Sequence, residues 1–290
     1  MRKFIIDADS IMYAAAHAFA GTESNEWEIE GEEIDADVDT QVPDMLKEFW
    51  YRVSLLVDAY ECEIIGEDDT EFEVEVVLTY KSCDPVLRRE NFRYDLTKEA
   101  SMHGMDIYKA NRAGMPVPDG INDLYVSLVL AEDTPHTIVI PEAAEADDYV
   151  VMMSKEEGVH LCAIDKDVIN ASLSPVYNYH HKHMCWVYPT NMKDRRDWFF
   201  TQVLMGDASD GIKGAWKVGK VGAAKIVDKH LDDEALWAEI LQTYKKKGQS
   251  EEEAIATARC VNMHQMQANG QIALWEPPFY YEKFEFNNGD

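Results

Sequence analysis

Two short apolar runs in this chain stop abruptly on an aspartate, and that feature constrains the fold more than any other. Phe4-Ile5-Ile6 runs into Asp7, and Leu161-Cys162-Ala163-Ile164 runs into Asp165, with Asp167 close behind. Further β-prone stretches lie at Val74 to Thr79 and His136 to Ile140, and residues 45–60 place apolar groups at helical spacing. Strands alternating with helices predict βαβ units and a mainly parallel sheet, an α/β fold. In such a sheet the strand ends share one edge, and ligands bind outside it. Asp7, Asp165 and Asp167 are therefore expected to converge although they are far apart in sequence.

More acids fall where they can join that edge. Glu145-Ala146-Asp147-Asp148 opens a predicted helix over Tyr149 to Met153. Acids are favoured at a helix start by the dipole, so this motif alone reads equally as capping. Asp207 and Asp210 sit in Gly206-Asp207-Ala208-Ser209-Asp210-Gly211, which alone would be a turn. If these carboxylates meet, they repel and their pKa values rise unless divalent cations neutralise them. An all-oxygen site without His or Cys suits two hard cations, Mg²⁺ or Mn²⁺. Such a cluster fits two-metal phosphodiester hydrolysis.

A glycine-dense stretch follows: Gly206, Gly211, Gly214, Gly219 and Gly222 fall within 17 residues and lead into a new helix at Ala223-Ala224-Lys225. Glycines let a backbone approach a ligand, and amides at a helix start hold phosphate. Lys213, Lys217, Lys220 and Lys225 add positive charge there. The reading is a phosphate-backbone clamp, with a flexible linker as the alternative.

Charge argues the other way. The chain carries −28 over 290 residues, a balance that by itself opposes a nucleic-acid partner. Residues 21–75 hold 20 acids and only Lys47 and Arg52 as bases, so −18 is local and the rest of the chain carries −10. The part from Glu23 to Asp44 reads as an exposed acidic excursion: a solvated surface, or a segment that occupies a basic groove or meets a protein partner. With 46% hydrophobic residues the chain has enough apolar material for a core, and its length allows about two domains. Five cysteines without C-x-x-C spacing indicate neither a disulfide framework nor a zinc site. The first apolar run is too short for a signal peptide, and no run reaches the roughly 18 residues that span a bilayer. A soluble, cytoplasmic protein is expected.

Six segments in order resemble the structure-specific 5′ nucleases, the flap endonuclease superfamily, and within it the 5′ to 3′ exonucleases of short-tailed DNA phages. They are IIDADS at 5–10, YKANR at 108–112, EADD at 145–148, AIDKD at 163–167, MGDASDGIKG at 205–214 and VGKVGAAK at 218–225. GQSEEEA at 248–254 and IALWEP at 272–277 extend the likeness to the tail.

The resemblance implies a PIN-like, mainly parallel sheet flanked by helices, with a helical arch and a C-terminal helix-three-turn-helix region. The core would span 1–190, with the acidic insertion at about 21–44 and the arch at about 84–118, and 191–290 would form the helical DNA-binding region. Asp7, Glu145, Asp147, Asp148 and Asp165 would hold or support the first metal, and Asp167, Asp207 and Asp210 would complete the second. Lys109 and Arg112 match arch-base cations that engage the scissile phosphate. Tyr108 would stack on a terminal base or anchor the core. Lys213, Gly214, Lys217, Gly219, Lys220, Gly222 and Lys225 match the duplex-binding element, which often binds K⁺. The implied activity is metal-dependent hydrolysis of duplex DNA from 5′ ends and flaps, with RNA primers in RNA:DNA hybrids as related substrates. A role in phage DNA replication or host DNA degradation follows, with replication proteins as partners, no membrane, and a monomer in the host cytoplasm.

The chain also departs from the pattern. After Thr79 relatives place an acid, whereas here Tyr80-Lys81-Ser82-Cys83-Asp84 follows, so Asp84 substitutes after a shift or that ligand is absent. The stretch Phe92 to Asp106 is long, implying an enlarged arch. Asp9 is read as supporting or facing solvent rather than ligating. His180-His181-Lys182-His183 has no partner cysteines and reads as surface. Ser250 with Glu253 predicts a capping box for a helix running towards Asn269-Gly270. Two alternatives stand beside the nuclease: a PIN-type ribonuclease, which would lack the clamp, and a non-catalytic acidic DNA mimic or replication partner, which would make the strand-end acids a coincidence.

Overall fold

A computed structural model of the chain describes residues 1–19, 41–66, 71–79, 108–112, 115–142, 144–229 and 232–278. Most of the acidic excursion, most of the arch, the 92–106 stretch, Lys81 and Asp84 lie outside the described residues. The described residues form two compact units. One draws on 1–79, 115–189 and 266–272, the other on 108–112, 190–265 and 273–278.

The first unit is built on a six-stranded sheet of order β3-β2-β1-β4-β5-β6. Its strands are β1 (Arg2–Asp7), β2 (Phe72–Val77), β3 (Thr137–Val139), β4 (Val159–Cys162), β5 (Val176–Asn178) and β6 (Cys185–Val187). All neighbours run parallel except β5 and β6, an antiparallel pair where the aromatic 176–188 stretch had predicted a strand or hairpin. The chain leaves β1 towards β2 and β3, then returns to lay β4 on the other side of β1, with Ile6 opposite Cys162. That reversal makes the carboxyl ends of β1 and β4 the switch point of the sheet.

Helices cover both faces, which explains why β1 is a continuous apolar run rather than an alternating one. Phe4, Ile5 and Ile6 are all fully buried. Phe4 and Ile6 pack into a core with Met12 of α1 (Asp9–Phe19), Phe49 and Val53 of α2 (Val42–Tyr60), and Leu124 of α3 (Ile121–Leu130). Ile5 points to the opposite face by strand alternation, where α4 (Ala146–Met153) contacts β1 and α5 (Lys166–Ala171). Each such side chain removed from water contributes about 1.5–3 kcal/mol. None of the helices described is long and apolar enough to cross a membrane.

The second unit is helical: α6 (Met192–Met205), α7 (Lys220–Val227), α8 (Asp233–Lys246) and α9 (Glu251–Val261), with a small antiparallel pair, β7 (Gly206–Asp207) and β8 (Ile212–Lys213), between α6 and α7. Its core centres on the fully buried Trp237, Ile240 and Tyr244 of α8. Lys245 and Lys246 close α8, as their preference for a helix end predicts. The capping box forms at α9, Ser250 Oγ accepting from Glu253 N–H at 3.2 Å and Glu253 Oε2 from Ser250 N–H at 2.7 Å. The helix stops at Val261, however, and not at Asn269-Gly270. The buried Gln265 side chain donates to the carbonyls of Arg259 at 2.7 Å and Asn262 at 3.0 Å, taking up terminal acceptors before another turn can form. Asn269-Gly270 instead makes a tight turn, with Gln267 N–H donating to Gln271 O at 2.8 Å.

Candidate metal centre

In the first unit the acids gather at the switch point. Asp7 is the last residue of β1 and is buried. Glu145 is the N-cap of α4, and it and Asp148 form a reciprocal capping box. Oxygens of Glu145, Asp147 and Asp148 lie within 4.8 Å of one another, with Glu145 and Asp148 buried. Capping and metal holding are thus compatible here: each carboxylate has two oxygens and about four lone-pair directions, and the box uses only some of them. Asp165 caps α5, accepting the Asp167 N–H at 2.6 Å, which ties both acids to the start of that helix.

Electrostatics records the crowding. Burial pushes the Asp7 carboxyl well above its ordinary value, and the charges of Asp9, Asp147 and Asp165 push it further in the same direction. The donor set is all oxygen, Asp7, Glu145 and Asp148 in it are buried, and the charges around Asp7 repel it. Those are the properties that a hard divalent cation relieves, so these residues fit such an ion.

Two supporting residues carry no motif of their own. Thr79, just past β2, donates its N–H to Asp9 Oδ1 at 3.0 Å and accepts the Ala146 N–H on Oγ1 at 2.9 Å. It joins the start of α1 to the start of α4, just before the position at which the family pattern has an acid. Asp9 is thereby engaged in holding β2. Tyr179 donates its hydroxyl to the backbone carbonyl of Asp7 at 3.0 Å, fixing the end of β1 from the far side of the sheet.

Asp207 and Asp210 belong to the second unit, so eight converging carboxylates are not something the first unit supplies by itself. Asp207 is buried and accepts the Ser209 N–H at 2.8 Å as well as the Ser209 hydroxyl. Asp210 is bound by Arg112 and accepts the Tyr108 hydroxyl at 3.2 Å, while its carbonyl accepts the Lys109 N–H at 2.7 Å. Asn111 donates to the carbonyls of Ala208 at 3.0 Å and Ser209 at 3.2 Å. YKANR and GDASDG therefore form one hydrogen-bonded piece. Tyr108 is 4% exposed within the core of this unit, the anchoring alternative rather than an open stacking platform. Lys109 adopts φ +56, and its Nζ lies 4.7 Å from the centre of the Tyr108 ring.

The glycine-dense stretch divides in two. At Gly206, which has φ +70, an added Cβ would come within 2.2 Å of Ile212 O, and at Gly214 within 2.3 Å of Gly206 N. These two glycines let the chain approach itself, not a ligand, which corrects the sequence reading for Gly214. Gly219 and Gly222 are exposed at the start of α7, with Lys213, Lys217, Lys220 and Lys225 exposed around them. That half keeps the properties of an anion site.

A chain with one unit built on a mainly parallel α/β sheet with acids at its switch point, and another that is helical and carries exposed lysines, is the class of molecule these features define. No protein-family model matches the chain. A curated protein of Buchnera aphidicola (subsp. Acyrthosiphon pisum) named 5′-3′ exonuclease is 27% identical over 168 residues, 52% of this chain and 54% of that protein. The chain therefore aligns with about half the length of that relative. The bacteriophage T5 D15 protein co-crystallised with metal ions shares the fold, with a TM-score of 0.60 and 14% identity over 91% of this chain and 90% of that one. So does the bacteriophage T5 D15 flap endonuclease in a pseudo-enzyme-product complex with DNA and metal ions, with a TM-score of 0.55 and 15% identity over 91% and 89%. These two solved structures show a shared fold.

Proposed function

We propose that this chain is a metal-dependent 5′ to 3′ exonuclease and flap endonuclease that hydrolyses phosphodiester bonds of duplex DNA. The observation that carries this reading is the gathering of Asp7, Glu145, Asp147, Asp148 and Asp165 at the switch point, with Asp7, Glu145 and Asp148 buried and Asp7 repelled by the charges of Asp147 and Asp165. Two Mg²⁺ or Mn²⁺ ions held there, with Asp167, Asp207 and Asp210 contributing to the second, would activate a water and stabilise the leaving oxygen. Asp7 and Glu145 orient their oxygens from a strand end and a helix cap, so little reorganisation is needed as charge develops. Lys109 and Arg112 place positive charge for the scissile phosphate, and Asp210 positions Arg112.

The second unit is proposed as the duplex-binding region. Gly219, Gly222 and the lysines at 213, 217, 220 and 225 would hold a strand's phosphates, with K⁺ and a helix-three-turn-helix arrangement as the family likeness implies. The net charge of −28 is compatible with this because local potential governs binding. RNA:DNA hybrids and replication partners are the finer part of the proposal. The test is cleavage of 5′-labelled duplex, flap and hybrid substrates with Mg²⁺. Products that begin at 5′ ends are expected, and no metal-dependent cleavage of any of the three would refute the reading.

A further inference from the structure

The first unit carries a second concavity that the acid cluster does not use. A groove of about 420 Å³ lies between α1, α2 and the hairpin residues after β5. Its walls are apolar, with Ile11 and Ala14 from α1, Leu55 and Ala59 from α2, and Met184 from the hairpin. Leu55 is 49% and Met184 60% exposed, so the groove leaves large apolar side chains facing water.

Its edge carries one guanidinium and two imidazoles. Arg52, His180 and His181 line it. Arg52 gives Nη2 to Glu48 at 2.7 Å, while its Nε is buried with no acceptor among the described residues. An enclosed N–H without an acceptor is destabilising, so the guanidinium is underused as the groove stands. The rings of His180 and His181 stack with centroids 4.4 Å apart and form one imidazole face.

The groove also adjoins the acid centre. Ser10 lies on α1 just after the β1 end that carries Asp7, Ile164 precedes Asp165, and Tyr179 bonds the Asp7 carbonyl; all three line the groove. A fitting occupant has a flat apolar part and an anionic part. It also lies beside a centre proposed to cut phosphodiesters.

We propose that this groove holds one nucleotide unit of the DNA strand, its base against Leu55 and Met184 and its phosphate on Arg52, His180 and His181. The choice of ligand rests on the nuclease reading. The apolar wall and the Arg52, His180 and His181 edge do not. An acidic peptide bearing an apolar side chain would match the charge but gives no reason for the adjacency to Asp7.

The test uses the full chain in EDTA, so that no metal-bound phosphate contributes. Titration calorimetry compares thymidine 5′-monophosphate, thymidine and inorganic phosphate. The nucleotide should bind at least about tenfold tighter than either fragment, and Arg52→Met should weaken it by about tenfold. Paired His180→Ala and His181→Ala changes, away from α2, should weaken it as well. The Met184 methyl resonance, assigned through Met184→Leu, should move on addition of nucleotide, and a short oligothymidylate should compete. Equal binding of phosphate and nucleotide, an Arg52→Met affinity equal to wild type, or an unmoved Met184 signal would overturn the proposal. So would competition by an acidic peptide but not by the oligonucleotide. Asp147→Asn with Asp148→Asn should leave this binding intact. In the unsubstituted chain, nucleotide binding without any metal-dependent cleavage defeats the nuclease reading alone, and cleavage without nucleotide binding defeats this one alone.

Discussion

Thr79 Oγ1 stands 2.9 Å from the Ala146 nitrogen, and through that bond the end of β2 fixes the start of the helix that bears three of the candidate metal-holding acids. Thr79→Val keeps the shape and removes the acceptor, leaving a partly buried N–H unpaired. A loss of about 1–3 kcal/mol in urea unfolding is expected. Cleavage should slow as well, and Thr79→Ser should restore both. A valine variant with wild-type stability and rate would show that the bond positions nothing.

Asp147→Asn with Asp148→Asn retains the hydrogen-bonding shape of the α4 start but removes two charges. Mg²⁺-dependent cleavage should fall by about 10²-fold or more, since several kcal/mol of transition-state stabilisation depend on the held ions. Duplex retention in a gel shift at low salt should persist or improve. Wild-type turnover in the double variant would end the metal model.

Mg²⁺ should raise the melting temperature, because an ion that binds only the folded site stabilises it by mass action. At about one hundred times its Kd the gain is about 2.7 kcal/mol. The Asp147→Asn, Asp148→Asn protein should lose most of that response. Calorimetric scans with Mg²⁺ and with EDTA make the comparison.

Burial and like charge raise the pKa of Asp7 in the folded state. Its contribution to stability is therefore fully present below the unfolded value, near the ordinary 3.8, and is lost as pH rises through the raised folded value. Metal-free protein should accordingly lose melting temperature as pH climbs through that window. Asp7→Asn should flatten the curve and raise the neutral-pH melting temperature. A variant with an equally steep decline would place the cause elsewhere.

Gly214→Ala sets a Cβ 2.3 Å from Gly206 N, a backbone clash with no side chain to yield, and should cost more than about 4 kcal/mol. Gly222→Ala meets only the Val218 side chain at 3.6 Å and should stabilise α7 by up to about 1 kcal/mol. If its amide region holds phosphate, duplex affinity should nonetheless drop. Thermal melts and gel shifts on the two variants separate the roles.

The sequence made the strand-end acids, the helix over 45–60 and the Ser250 box legible because each depends on neighbours within a few residues. The apolar run before Asp7 already encoded a doubly covered strand. Thr79 and Tyr179 were illegible because their value lies in partners at Ala146 and Asp7, distant in the chain. The glycines at 206 and 214 misled for the same reason, since the atoms they avoid belong to each other's strand. The end of α9 was misplaced because Gln265, a side chain beyond the helix, supplies the stop.

The return of β4 to the open flank of β1 has an outcome for the timing of assembly. Until the ribosome has delivered residues 159–165, Asp7 ends a strand with one bare side and no facing Asp165. A nascent or prematurely truncated polypeptide thus carries Asp7 without one of its neighbouring carboxylates, and the acid cluster of the first unit is complete only after β4 docks.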